Sequence, residues 1–60
     1  MKKYTVRIKF GPNEKDWATY KDVISVTAQN NFIWIKMEKK LVGFNFKDVE
    51  FFEQEVQNDN

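Results

Sequence analysis

Apolar and polar residues alternate through the middle of this chain, and two short turns decide how the alternating segments pair. The first turn, Asn30-Asn31, pairs Ala28 with Ile33, Val26 with Ile35 and Ile24 with Met37. A second turn at Lys39-Lys40 would then pair Met37 with Val42, Ile35 with Phe44 and Ile33 with Phe46. Both hairpins place these apolar side chains on the same face, which predicts a three-stranded meander with its core on that side.

The opposite face of this meander is polar except for three large apolar residues, Phe32, Trp34 and Leu41. Thr27 and Lys36 lie among them in the predicted register. Gly43, diagonal to Trp34, leaves room for the indole to lie across the neighbouring strand. An apolar group of this size is typical of an interface. The loop from Gly11 to Trp17 or the C-terminal tail offers an alternative cover within the same chain.

Two further features predict that the sheet curls over on itself. Residues 3–10 alternate as a half-buried strand, with Tyr4, Val6, Ile8 and Phe10 on its inner side. An unbroken strand over 18–28 would bury the carboxylate of Asp22, so a bend or bulge is expected at Lys21-Asp22. The same parity argument predicts a turn at Lys47-Asp48.

These elements indicate an all-β fold: a small curled antiparallel meander or barrel of five to six short strands. Residues 49–56 read best as the last strand, and a short C-terminal helix capped by Asp48 is the alternative. We expect a single β domain over 1–56 and a frayed tail over 57–60.

Composition narrows the possible chemistry. The 60 residues include no cysteine and no histidine, which excludes disulfides, thiolate sites and ordinary zinc ligation. No side chain has an evident catalytic base beside it, so we expect no enzyme activity, no catalytic residue, no metal and no cofactor. No apolar run is long enough to cross a membrane, and no signal peptide is evident, so a cytoplasmic protein is expected.

Charge is segregated along the chain although the net charge is only +1. The first ten residues carry four positive charges and no negative one, whereas the last thirteen carry five negative charges and no positive one. We therefore expect the first strand to lie beside the last segment, with opposite charges facing each other.

The chain resembles the tiny β proteins of phages and prophages of Gram-positive bacteria. Three segments carry the resemblance: Asp22-Val23-Ile24-Ser25-Val26, Asn30-Asn31, and Phe46 to Glu53 with its Asp48-Val49 pair. The resemblance implies a stoichiometric inhibitor of a host enzyme or defence system, acting in the host cytoplasm.

The expected function is thus a non-catalytic protein–protein interaction module. The expected partner-binding residues are Phe32, Trp34, Lys36, Leu41 and Thr27. The partner is a second copy in a homodimer or a foreign protein, and self-association ranks first because a symmetric dimer needs only one such surface. The alternative is weak binding of single-stranded nucleic acid through the same outward aromatic residues.

Overall fold

The computed structural model describes residues 2–57 and confirms an all-β fold. It contains six strands: β1 (Tyr4–Lys9), β2 (Trp17–Val23), β3 (Ser25–Gln29), β4 (Phe32–Met37), β5 (Lys40–Asn45) and β6 (Phe51–Val56). A 3-10 helix, Phe46–Asp48, separates β5 from β6. The strands form two antiparallel three-stranded sheets, ordered β2-β1-β6 and β3-β4-β5. Within residues 2–57 the two sheets do not close into a barrel, so that form of the fold prediction is wrong and the curled meander is the better description.

The first sheet joins the two ends of the chain. β1 lies at its centre and pairs with β2 on one side and β6 on the other. Residues 51–56 are therefore a strand, and the helical alternative for this segment is wrong. Arg7 lies opposite Glu53, and its Nη1 is 3.1 Å from Glu53 Oε1. The predicted pairing of the basic first strand with the acidic last segment is confirmed.

Both predicted corners are present. At the first corner the β1–β2 register shifts between the pairs Tyr4–Val23 and Val6–Tyr20, and Asp22 has a φ of 58°. This bulge turns Asp22 to the exposed surface, so the carboxylate is not buried. At the second corner the 3-10 helix begins after Asn45, whose side chain accepts a hydrogen bond from the Lys47 backbone N–H at 3.0 Å.

The first central turn lies where the sequence places it. Asn30 and Asn31 have φ values of 52° and 65°, which asparagine adopts more easily than most residues. The expected pairs Ala28–Ile33 and Val26–Ile35 form. The pair Ile24–Met37 does not, because the ladder ends at Ser25–Lys36 and the Ile24 N–H donates to the Lys36 carbonyl at 2.8 Å.

The second central turn is shifted, and the prediction for it is wrong. The turn residues are Glu38-Lys39 and not Lys39-Lys40, because Met37 pairs with Lys40. Ile35 consequently faces Val42, and Ile33 faces Phe44. The register moves by two residues, so every side chain keeps its predicted face. Neither turn residue has a positive φ. A turn of that kind accepts most residues, and the sequence therefore does not mark its position.

The core lies between the inner faces of the two sheets. Its buried members come from β1, the end of β2 and β4: Val6, Ile8, Val23, Ile33 and Ile35. Phe10 and Phe46, both predicted to point inward, are 42% and 45% exposed. Ala28 is exposed as well. All three lie within one residue of the end of a strand, away from the buried centre of the core.

The predicted frayed tail begins at Gln57, whose backbone N–H donates to the Lys3 carbonyl at 2.9 Å. Its side-chain Oε1 accepts from the Asp22 N–H at 3.0 Å. The rest of that predicted tail, 58–60, lies outside the described residues.

Candidate interaction surface

The five residues predicted to bind a partner lie on one surface, the outer side of the β3-β4-β5 sheet. We call this surface the aromatic face; it consists of Thr27, Phe32, Trp34, Lys36 and Leu41. Thr27 lies directly opposite Trp34, and Lys36 lies directly opposite Leu41. Thr27, Lys36 and Leu41 are exposed, Leu41 to 62%, whereas Phe32 and Trp34 are half-buried.

Trp34 lies across Gly43, which is directly opposite it. The turn predicted at Lys39-Lys40 had placed Gly43 diagonal to Trp34. The Phe46 N–H donates to the Asn31 carbonyl at 2.9 Å, so that pair is hydrogen-bonded. Because hydrogen-bonded and non-hydrogen-bonded pairs alternate along an antiparallel ladder, Trp34–Gly43 is a non-hydrogen-bonded pair, the closer of the two kinds. A Cβ on Gly43 would lie 2.5 Å from Trp34 Cζ3. Only glycine leaves space for this indole.

Phe32 stacks on Trp34. Their ring centroids are 5.4 Å apart and the rings are inclined by 17°. The stack and the glycine contact account for the partial burial of both rings. The two segments considered as same-chain covers are bound to β1, in the other sheet. Lys9 of β1 holds the 11–16 loop, because its Nζ donates to the Asn13 carbonyl at 3.0 Å, and β6 pairs with β1.

A second aromatic cluster, on the outer side of the β2-β1-β6 sheet, was missed from the sequence. Trp17 and Phe51 both lie opposite Lys9, from the two strands that flank β1. Their ring centroids are 5.9 Å apart in an edge-to-face arrangement, and Arg7 Cζ lies 4.4 Å from the Trp17 ring centroid. Pairing β1 with both neighbours in register would have revealed the cluster, but that register depends on contacts distant in sequence.

Lysines gather at the end of the molecule where the second hairpin turns. An open depression there is lined by Lys3, Lys21, Lys39 and Lys40, together with Asp22, Ile24, Met37 and Glu38. Lys40 Nζ also lies 6.0 Å from the Tyr20 ring centroid. Because Lys36 and Leu41 adjoin the same turn, this basic end is continuous with the aromatic face.

In the described part of the chain, no group of three or more His, Cys, Asp or Glu residues is placed to hold a metal ion. Residues 2–57 also include no helix long and apolar enough to cross a membrane. No family model, curated protein or solved structure matches this chain. The aromatic face is therefore interpreted from its own geometry.

Proposed function

We propose that this protein is a non-catalytic interaction domain that binds another protein through the aromatic face. The observation that carries the proposal is the Phe32–Trp34 stack on a sheet face whose other residues Thr27, Lys36 and Leu41 are exposed. The polar residues Thr27 and Lys36 lie beside this apolar centre, opposite Trp34 and Leu41. An apolar centre with a polar rim is the usual organisation of a protein interface.

The packing of the two rings makes the face suitable as a rigid anchor. Trp34 is held between Gly43 and Phe32, so little side-chain freedom remains to be lost on binding. Tryptophan is among the residues that most often dominate binding energy at interfaces. A stoichiometric inhibitor of the phage type, which the sequence resembles, would use such a surface to block a host protein.

Replacing Trp34 by threonine tests the proposal, because threonine retains strand propensity while the anchor is lost. The tagged full chain is used to recover bound proteins from lysate of the cells in which it occurs, and the recovered protein is then purified and titrated by calorimetry. We expect Trp34→Thr to weaken binding by about 30-fold or more, corresponding to roughly 2 kcal/mol.

Phe51→Ala is the matched control. Phe51 is a 51% exposed aromatic residue on the outer side of the other sheet. We expect this variant to bind within about threefold of the wild type, since it lies outside the proposed contact surface. Thermal unfolding confirms that both variants are folded. If Phe51→Ala lost binding and Trp34→Thr retained it, the interface would lie on the β2-β1-β6 sheet, which would contradict the proposal.

Binding of single-stranded nucleic acid is the second candidate, and the basic end of the molecule supports it. Lys36, Lys39 and Lys40 adjoin the aromatic face, so positive charge is concentrated there although the net charge of the chain is small. The ring packing weakens this candidate. Stacking of a base requires a free ring face, and Phe32 and Trp34 already cover part of each other.

Labelled single-stranded DNA, titrated at low and moderate salt, tests the second candidate. If the four lysines of the basic end and Lys36 contact phosphates, the log–log dependence of affinity on salt has a slope of about −3.5. The double variant K39E/K40E should then abolish binding, whereas K15E/K47E, with the same change in net charge, should retain most of it. Equal losses in the two double variants would mean that only net charge matters, and no binding at low salt would eliminate the candidate.

A further inference from the structure

Residues 2–57 have four free sheet edges, at β2, β3, β5 and β6, and the edges at β5 and β6 differ in the charges that they carry. β5 pairs with β4 and with no other strand of residues 2–57. The Phe46–Asn31 hydrogen bond fixes which backbone groups face β4. By the alternation of an antiparallel ladder, the N–H and C=O groups of Leu41, Gly43 and Asn45 then point away from β4, toward the open edge.

Apart from Lys40 at its first position, β5 has none of the usual protection against pairing with another strand. Natural edge strands are commonly protected by charged side chains, proline, bulges or a covering segment. From Leu41 to Phe46 the chain has no charged residue and no proline. Leu41 and Phe46, at the two ends of this stretch, are 62% and 45% exposed.

β6, one of the two free edges of the other sheet, carries charges that oppose self-pairing. The Gln57 N–H donates to the Lys3 carbonyl, so the free backbone groups on this edge belong to Phe52, Gln54 and Val56. If two copies of β6 paired antiparallel about Gln54, Glu53 of each copy would lie opposite Glu55 of the other. Like charges directly opposite each other destabilise a strand pair.

β5 is complementary to itself. In an antiparallel pair of two β5 strands centred on Gly43, Val42 of each copy lies opposite Phe44 of the other on the inner face. Leu41 lies opposite Asn45 on the outer face. Apolar residues thus meet on the core side, and no like charges oppose each other within the strand.

We propose that β5 pairs with β5 of a second copy of this chain, forming a continuous six-stranded sheet across a two-fold axis. The proposal goes beyond the aromatic face, because it rests on the backbone edge and requires no foreign partner. It also joins the two aromatic faces. Three strand spacings of about 4.8 Å would separate the two β4 strands, and each indole lies over its own Gly43, beside the axis. The partner of the proposed function would then meet one surface built from both copies.

The test combines sedimentation of the isolated protein with amide hydrogen exchange measured by NMR. We expect a monomer at about 5 µM and a dimer at about 1 mM, because the dimer fraction rises with protein concentration. Over the same range the amides of Leu41, Gly43 and Asn45 should become at least about tenfold more protected. The amides of Phe52, Gln54 and Val56, on the β6 edge of the same molecule, are the internal control and should not change.

A matched pair of variants accompanies these measurements. Leu41→Lys puts a charge on the proposed edge, and we expect it to weaken the dimer by at least about tenfold. Gln29→Lys puts the same charge on the same outer face but on β3, and it should leave the dimer intact. Chemical shifts show whether each variant is folded. If Leu41→Lys does not fold, the hydrogen-exchange data on the wild type decide whether β5 pairs with β5.

Three results would overturn the proposal: a monomer at the highest concentration, a dimer in which the three β5 amides stay unprotected, or growth beyond the dimer, because β5–β5 pairing uses up the edge. None of these results depends on a foreign protein. Failure of self-pairing is therefore distinguishable from failure of the proposed function, which the binding affinity of Trp34→Thr measures.

Discussion

Ile35→Ala is expected to remove most of the stability of this protein. Ile35 is fully buried at the centre of β4, between the two sheets. Truncating a buried isoleucine to alanine costs about 2–5 kcal/mol, since the lost burial is followed by a cavity that neighbouring side chains only partly fill. A domain of this size has a total unfolding free energy of only about 3–9 kcal/mol. Urea unfolding followed by tryptophan fluorescence measures the loss.

Leu41→Ala is the control for this prediction, because it removes a side chain of the same size from the same sheet. Leu41 is 62% exposed, so its truncation should change the unfolding free energy by about 0.5 kcal/mol or less. The two variants together test which face of the β3-β4-β5 sheet is the core side. Similar losses in both would contradict the assignment.

Gly43→Ala is expected to destabilise the wild-type protein by about 1–2 kcal/mol, as overpacking does. The new methyl group would meet Trp34 Cζ3 at 2.5 Å and Cε3 at 2.9 Å, so the indole must leave its position against β5. Its stack on Phe32 would then be lost as well. Unfolding free energies from urea titration give the cost, and the tryptophan emission spectrum reports the displaced ring.

Gly43→Ala should stabilise the protein, and not destabilise it, once the indole is removed. In a Trp34→Ala background, Gly43→Ala meets no ring, and alanine is less costly than glycine in a strand by roughly 0.5–1 kcal/mol. A double-mutant cycle should therefore give a coupling of about 1.5–3 kcal/mol between the two positions. Additive effects would show that Trp34 does not lie on Gly43.

Residues with a strict conformational or electrostatic requirement are the ones whose positions could be predicted from the sequence. Asn30 and Asn31 tolerate left-handed backbone, so they determine the first hairpin and its register. Asp22 cannot be buried without a partner, so it forces the bulge that carries the chain from one sheet to the other. Both features depend on a local property of a few residues.

The errors occur where such a requirement is missing. Glu38-Lys39 needs no unusual φ, so the sequence offers nothing to distinguish it from Lys39-Lys40. The prediction of the aromatic face is unaffected by that error only because a register shift of two residues leaves every side chain on the same face of the sheet. The cluster of Trp17, Phe51 and Arg7 depends on pairing of β1 with both β2 and β6, which local pattern does not specify. The separation into two sheets in place of a closed barrel is likewise set by packing between distant segments.

The aromatic face and the β5 edge both depend on Trp34 pointing outward, directly opposite Gly43. The most direct test is the pattern of Hα–Hα nuclear Overhauser effects across β4 and β5, because these protons approach closely only in non-hydrogen-bonded pairs. We predict strong effects between Trp34 and Gly43 and between Lys36 and Leu41. A strong Trp34–Asn45 or Lys36–Gly43 effect, with none between Trp34 and Gly43, would contradict the register on which the aromatic face and the β5 edge both depend.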